Sequence, residues 1–177
     1  MKNKALILTS KLVQDHEFIY PFYRLKEEGI ETAVFNGSKN QVLGFFGTKV
    51  PPQKDDHIIE LKDVAVDDFD LLIIPGGVKA MEHMRLNSKI IDKIIEFNLK
   101  KKIIGCICSG VFLIISAKIV KDKKITGYYA WKDDVENAGA IFIDKPVVVE
   151  DNIITSPHYK YVGEWMKEVI KILNEKK

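Results

Sequence analysis

Two cysteines separated by one residue stand in an apolar run, Ile104-Gly105-Cys106-Ile107-Cys108-Ser109-Gly110-Val111. A strand that meets a short turn and then an apolar helix exposes one side chain at the top of a sheet. This is the logic of a nucleophile elbow, and the helix N-terminus behind it favours negative charge. A thiol placed there is expected to have its pKa drawn from about 8.5 into the range of roughly 3.5 to 7.5. Cys108 is the candidate nucleophile. A buried structural cysteine is the competing reading, and the local sequence leaves both open. Cys106, two residues earlier, points to the same side but deeper, and reads as a small core residue. Thiols at i and i+2 of a strand form disulfides poorly, and two cysteines are too few for a structural zinc site.

Two other strand ends carry groups that could serve such a thiol. Ile73-Ile74-Pro75-Gly76-Gly77 ends an apolar run on paired glycines. These let backbone N–H groups approach a ligand closely, as an oxyanion hole requires, although a plain turn has the same sequence. Ser10-Lys11-Leu12-Val13-Gln14-Asp15-His16-Glu17 follows the first apolar run. A carboxylate at the start of the helix there could reach across to the thiol, but acidic residues favour helix N-termini without any function.

The elements that must position these residues alternate. Strands are expected at Ala5 to Thr9, Ile30 to Phe35, Phe69 to Ile74 and Lys102 to Ile107, with two more at Val147 to Glu150 and Ile153 to Ser156 around an Asp151-Asn152 turn. Helices are expected from Asp15, as N-cap, to Glu28 with Gly29 at its end, and over Ser88 to Lys101, Val111 to Ala117, Lys132 to Ala138 and Val162 to Leu173. Pro21 should end or kink the first turn of the first helix. Val42 to Val50 reads as a glycine-punctuated hairpin, and Asn174 to Lys177 as a frayed, charged end. Such alternation implies right-handed crossovers and an α/β, mostly parallel sheet with helices on both faces. Its active crevice should lie outside the carboxyl ends of the strands.

Composition bounds the partners. The chain has 177 residues, 46% hydrophobic and 29% charged, with 27 Lys plus Arg against 25 Asp plus Glu. That suits a single soluble globular domain over 1–177 and excludes disorder, fibrous repeats and a disulfide scaffold. With Arg24 and Arg85 as the only arginines, no nucleic-acid surface is expected. The apolar stretch near the N-terminus is too short for a signal peptide or membrane span, and free thiols suit a reducing compartment. A cytoplasmic protein with no membrane partner is expected.

The ordered set of segments resembles the DJ-1/PfpI superfamily, also called ThiJ/PfpI. It comprises Glu17 to Gly29, Phe69 to Gly77, Arg85-Leu86-Asn87, Ile107-Cys108-Ser109-Gly110 and Lys132 to Ala140. The resemblance runs from about residue 4 to residue 173, closest to the PfpI-like protease and deglycase branch. It implies a flavodoxin-like three-layer sandwich and a homodimer or higher homo-oligomer. It also implies a Cys108 thiolate in contact with a protonated Glu17, and the amides of Gly76, Gly77 and Ser109 binding an oxyanion. Tyr128 matches a tyrosine that lines the pocket of the PfpI branch.

There are departures. Ser109 stands where that branch has a histidine after the nucleophile, so a peptidase loses its Cys-His pair. Gln14 replaces an acidic pocket residue, and Ser156-Pro157-His158-Tyr159 alters the rim, with His158 the candidate to replace the missing base. The C-terminal His-x-Glu pair of class I glutamine amidotransferases is missing. His16 is a lesser candidate for the pocket edge, His57 and His83 read as surface residues, and no histidine spacing suggests a metal.

The expected function is cysteine-dependent chemistry on a small electrophilic carbonyl, glyoxalase- or deglycase-like, with Glu17 as proton shuttle and no cofactor or metal. The alternatives are a non-catalytic oxidation sensor or stress-protective oligomer, and a PfpI-like intracellular peptidase.

Overall fold

The structure is a computed structural model that describes residues 3–175. In chain order its elements are β1 (Lys4–Leu8), α1 (Asp15–Glu27), β2 (Glu31–Phe35), β3 (Val42–Leu43), β4 (Lys49–Val50), β5 (Leu71–Ile74), α2 (Val78–Arg85), α3 (Ser88–Leu99) and β6 (Ile103–Ile107). The chain continues with α4 (Val111–Ser116), β7 (Lys124–Ile125), α5 (Lys132–Asn137), β8 (Ile141–Phe142), β9 (Val148–Glu150), β10 (Ile153–Ser156) and α6 (Val162–Glu175).

The continuous apolar runs form the centre of a six-stranded sheet in the order β2-β1-β5-β6-β10-β9, parallel except for β9 at one edge. Every residue of β5 and β6 is buried, as expected for strands covered on both faces. Helices α1 and α6 pack together on one face, and α2, α3 and α4 pack together on the other. This is the flavodoxin-like α/β architecture expected from the sequence. Outside the main sheet, β3 and β4 form the expected hairpin, and β7 and β8 make a small parallel pair.

Some local expectations are corrected. The N-cap of α1 is Gln14, whose side chain accepts the His16 N–H at 2.7 Å, and Asp15 is the first helical residue. The Asp15 carboxylate is committed elsewhere: it accepts the Phe46 N–H at 2.7 Å and the Thr48 N–H at 2.9 Å. Helix α1 runs unbroken through Pro21, held by the burial of Phe18, Phe22 and Leu25 along its core face. Helix α2 was not expected. Its buried residues, Ala80, Met81 and Met84, are few among Lys79, Glu82, His83 and Arg85, so its apolar face is narrow. Helix α6 continues through Asn174 to Glu175, and residues 176 and 177 of the expected frayed end lie outside the described residues. Among the described residues no helix is long and apolar enough to cross a membrane.

Candidate active site

Four neighbouring parallel strands, β1, β5, β6 and β10, deliver their carboxyl ends to one place. Glu17 lies in the first turn of α1, after β1; Gly76 and Gly77 follow β5; Cys108 and Ser109 follow β6; His158 and Tyr159 follow β10. Residues more than 140 positions apart in the chain, Glu17 and Tyr159, thus meet because the sheet order makes their strands neighbours, and the crevice lies where doubly wound sheets place it.

Cys108 is the first residue after β6 and has φ +58°. A non-glycine residue in the left-handed region is uncommon, costs on the order of 1 to 3 kcal/mol, and marks the sharp turn of an elbow. Gly76 packs directly against it. A Cβ added to Gly76 would lie 2.8 Å from the Cys108 Cβ and 2.9 Å from the Ser109 nitrogen, and would overlap the Glu17 carboxylate. Only glycine permits that approach. Gly77 has φ +103° and is the N-cap of α2.

The Glu17 side chain is fully buried, and its Oε2 accepts the Gly76 N–H at 2.8 Å. No hydrogen bond of good geometry closes on Oε1, although the Cys108 thiol and the Tyr159 N–H lie near enough to favour the charged form. Burial raises the Glu17 pKa to about 7 against those two groups and the Gly76 N–H. Burial also pushes Cys108 up to about 12, the Glu17 charge adding to it, despite favourable hydrogen bonds from the Ser109 side chain and N–H. The Cys108 Sγ and Ser109 Oγ are 3.7 Å apart.

The thiol therefore does not have the lowered pKa expected from its position. Helix α4 has only six residues and starts three positions beyond Cys108, so its dipole is small and distant, whereas desolvation and a carboxylate act directly. The two groups titrate as a pair: the first proton leaves near neutrality, and the charge then left on the carboxyl helps hold the second on the sulfur. Cys106 is buried and free, as expected of a core residue.

A cavity of about 360 Å³ opens on Cys108 and Ser109, with Gln14, Gly77 and Tyr128 in its wall. His158 stands just behind. Its Nδ1 accepts the Lys160 N–H at 3.1 Å, so it caps the turn over 159–161, and its ring lies 4.0 Å from Tyr159 and 6.2 Å from Tyr128. Burial, with Lys160 adding, lowers its pKa. Gly76 does not offer its N–H to the cavity, since Glu17 already accepts it.

Sequence reasoning missed the aromatic wall. Phe45 and Phe46 from the hairpin, Trp131 before α5 and Tyr159 after β10 all line the cavity. Ring contacts run from Phe45 to Phe46 at 5.2 Å, on to His16 at 5.9 Å and to Tyr159 at 4.9 Å. Through His158 the chain of contacts reaches Tyr128, which meets Trp131 at 6.0 Å. Together these rings form a collar. The signal available was Gly44-Phe45-Phe46-Gly47, two large apolar residues at a turn where polar ones are the rule.

Fold and site together define a parallel α/β protein with a cysteine at its strand-to-helix elbow and a buried glutamate against it. The model of the DJ-1/PfpI family matches residues 3–172, and the chain belongs to that family. It is 38% identical over 170 residues to Deglycase PfpI of Pyrococcus furiosus, covering 96% of this chain and 99% of that protein. It is 37% identical over 170 residues, with 96% and 99% covered, to a Thermococcus kodakarensis protein also named a deglycase. Among solved structures, it superposes with a TM-score of 0.90 and 28% identity on an Anabaena variabilis protein with DJ-1/ThiJ/PfpI-like and ferritin-like domains, covering 98% of this chain and 48% of that one.

Proposed function

We propose that the chain is a cysteine-dependent enzyme acting on small reactive carbonyls in the manner of a glyoxalase or deglycase. The observation that carries this reading is the Glu17 carboxyl buried against the Cys108 sulfur and held by the Gly76 N–H. The two relatives named deglycase support it.

The chemistry follows from a pair that shares one proton. As the Cys108 Sγ bonds to the carbonyl carbon, the thiol proton passes to Glu17 and the C=O π electrons move to oxygen, where the Gly77 and Ser109 N–H groups are available donors. Glu17 then returns the proton to that oxygen, giving a neutral hemithioacetal. With an α-oxoaldehyde, the carboxylate thus regenerated removes the hydrogen from C1 and delivers a proton to C2. The proton on O1 passes to O2, so that C1 becomes a thioester as the neighbouring ketone becomes an alcohol, and oxidation and reduction balance within the substrate. Water cleaves the thioester to a 2-hydroxy acid and the free thiol. No cofactor enters the balance.

The test is consumption of methylglyoxal with detection of lactate. Cys108→Ser should abolish it, and Glu17→Gln should reduce it by about 10²-fold or more, as expected for loss of a general acid-base group. Full turnover by the Cys108 variant overturns the reading. Dioxygenation of Cys108 by mild peroxide with no carbonyl turnover would favour the oxidation sensor instead.

A further inference from the structure

The sequence singles out His158 as a candidate base, yet the proposed chemistry moves its protons through Glu17 and leaves the imidazole without a task. Its contacts indicate a different one. The His158 Nδ1 accepts the Lys160 N–H at 3.1 Å, so the lone pair that a base would need is already engaged. The His158 carbonyl accepts the Tyr161 N–H at 3.0 Å, and the ring centres of His158 and Tyr159 are 4.0 Å apart. Side chain and backbone of one residue thus close the turn over 159–161.

That turn matters because its first N–H, from Tyr159, is directed at Glu17. The carboxyl is fully buried, and among the described residues only its Oε2 is held by a hydrogen bond of good geometry, from the Gly76 N–H at 2.8 Å. A buried carboxylate with one firm donor depends strongly on a second. The loop after β5 supplies the first donor, and the turn after β10 supplies the second. The titratable groups that face Glu17 are Cys108 and, deeper, Cys106. Those that face the turn are His16, whose ring stacks on Tyr159 at 4.9 Å, with Tyr128 and Lys160 beside His158.

We infer that His158 is a positioning residue for Glu17: by capping the turn over 159–161 it holds the Tyr159 N–H against the buried carboxyl, and so fixes how tightly Glu17 keeps its proton. This deepens the proposed function, since it rests on Glu17 as the group that carries the proton. Loss of the cap and loss of mere packing have opposite signs. Without the Tyr159 N–H the carboxylate lacks a donor, and Glu17 keeps its proton to higher pH. A looser site that admits water removes the burial that raises Glu17, and its proton leaves at lower pH.

The test follows the C=O stretch of the protonated carboxyl by infrared absorption between pH 4 and pH 10, each protein being measured against the same protein carrying Glu17→Gln. The unaltered protein should titrate near 7. His158→Ala should move the midpoint up by about one pH unit, the worth of a hydrogen bond to a charged group. His158→Leu, which keeps bulk but offers no acceptor, should do the same and serves if the alanine variant does not fold. His158→Asn, whose side-chain oxygen can accept the N–H two residues on, should keep the midpoint of the unaltered protein.

An unmoved or lowered midpoint in the alanine or leucine variant overturns the inference. So does a midpoint in His158→Asn that rises as far as theirs, because the ring rather than its cap would then be responsible. Methylglyoxal turnover by the same proteins reports on the proposed function separately. If no Cys108-dependent turnover occurs, that reading fails and the Glu17 midpoints still decide the inference.

Discussion

At Cys108 and Glu17, residue type gave the roles but not the electrostatics. A thiol at a strand-to-helix turn, a carboxylate one turn into the first helix and a glycine pair were all legible, because each is a chemical group at the end of an apolar run. The sign of the thiol's pKa shift was not, because it depends on burial and on which charge stands nearest. That sign leads to a prediction. Activity should rise with pH through about 7, as the Cys108–Glu17 pair loses its first proton. Stability should run the other way. Glu17 has a folded pKa raised from 4.5 to about 7, so its contribution is fully present below 4.5 and is lost as pH rises through 7. Glu17→Gln, which cannot ionise, should lack that decline. Unfolding free energies of the two proteins, from denaturant titrations between pH 4 and pH 8, should diverge by on the order of a few kcal/mol in favour of the variant at the upper end. Parallel profiles would mean that Glu17 does not ionise in the fold.

Among the elements, those with wide apolar faces were legible and those without were not. Helix α3 announces itself by Ile90, Ile91, Ile94, Ile95, Phe97 and Leu99 at helical spacing, whereas α2 offers only Val78, Ala80, Met81 and Met84 among charged residues and passes unnoticed. The hairpin was legible as a hairpin from its glycines. Its attachment to α1 was not, because an acidic residue at a helix start reads as an N-cap, and only the tertiary structure reveals that Gln14 takes the cap and frees Asp15. Burial works against the Asp15 charge, but hydrogen bonds from the Phe46 N–H and from Thr48 win and hold its pKa below the usual carboxylate value. Asp15→Ala should leave two N–H groups of the turn without their acceptor and cost about 1 to 3 kcal/mol in a denaturation measurement. Amide exchange of Phe46 and Thr48 should accelerate beyond that global effect. Unchanged protection of those two amides would show that the turn is held by other contacts.

For the molecule as a whole, the alternation of strands and helices sufficed for a parallel sheet covered on both faces, and the carboxyl-end rule then located the crevice. What alternation does not reveal is how closely the layers approach, and this rests on Gly105 in the middle of β6. A Cβ there would lie 2.9 Å from the Ile73 Cδ1 on β5 and 3.0 Å from the Trp165 Cζ2 on α6. Trp165 is fully buried, and its Nε1 donates to the Ile154 carbonyl at 3.0 Å, so the indole is anchored and has little freedom to retreat. The glycine thus sets the spacing between α6 and the sheet, three residues before Cys108 on the strand that presents it. Gly105→Val should overpack this contact and cost about 1 to 3 kcal/mol in chemical denaturation. Because β6 must shift to relieve it, the alkylation rate of Cys108 should change in the folded variant as well. A destabilised variant with an unaltered alkylation rate would show that the elbow is fixed by Gly76 and Glu17 alone, independently of how the sheet packs beneath it.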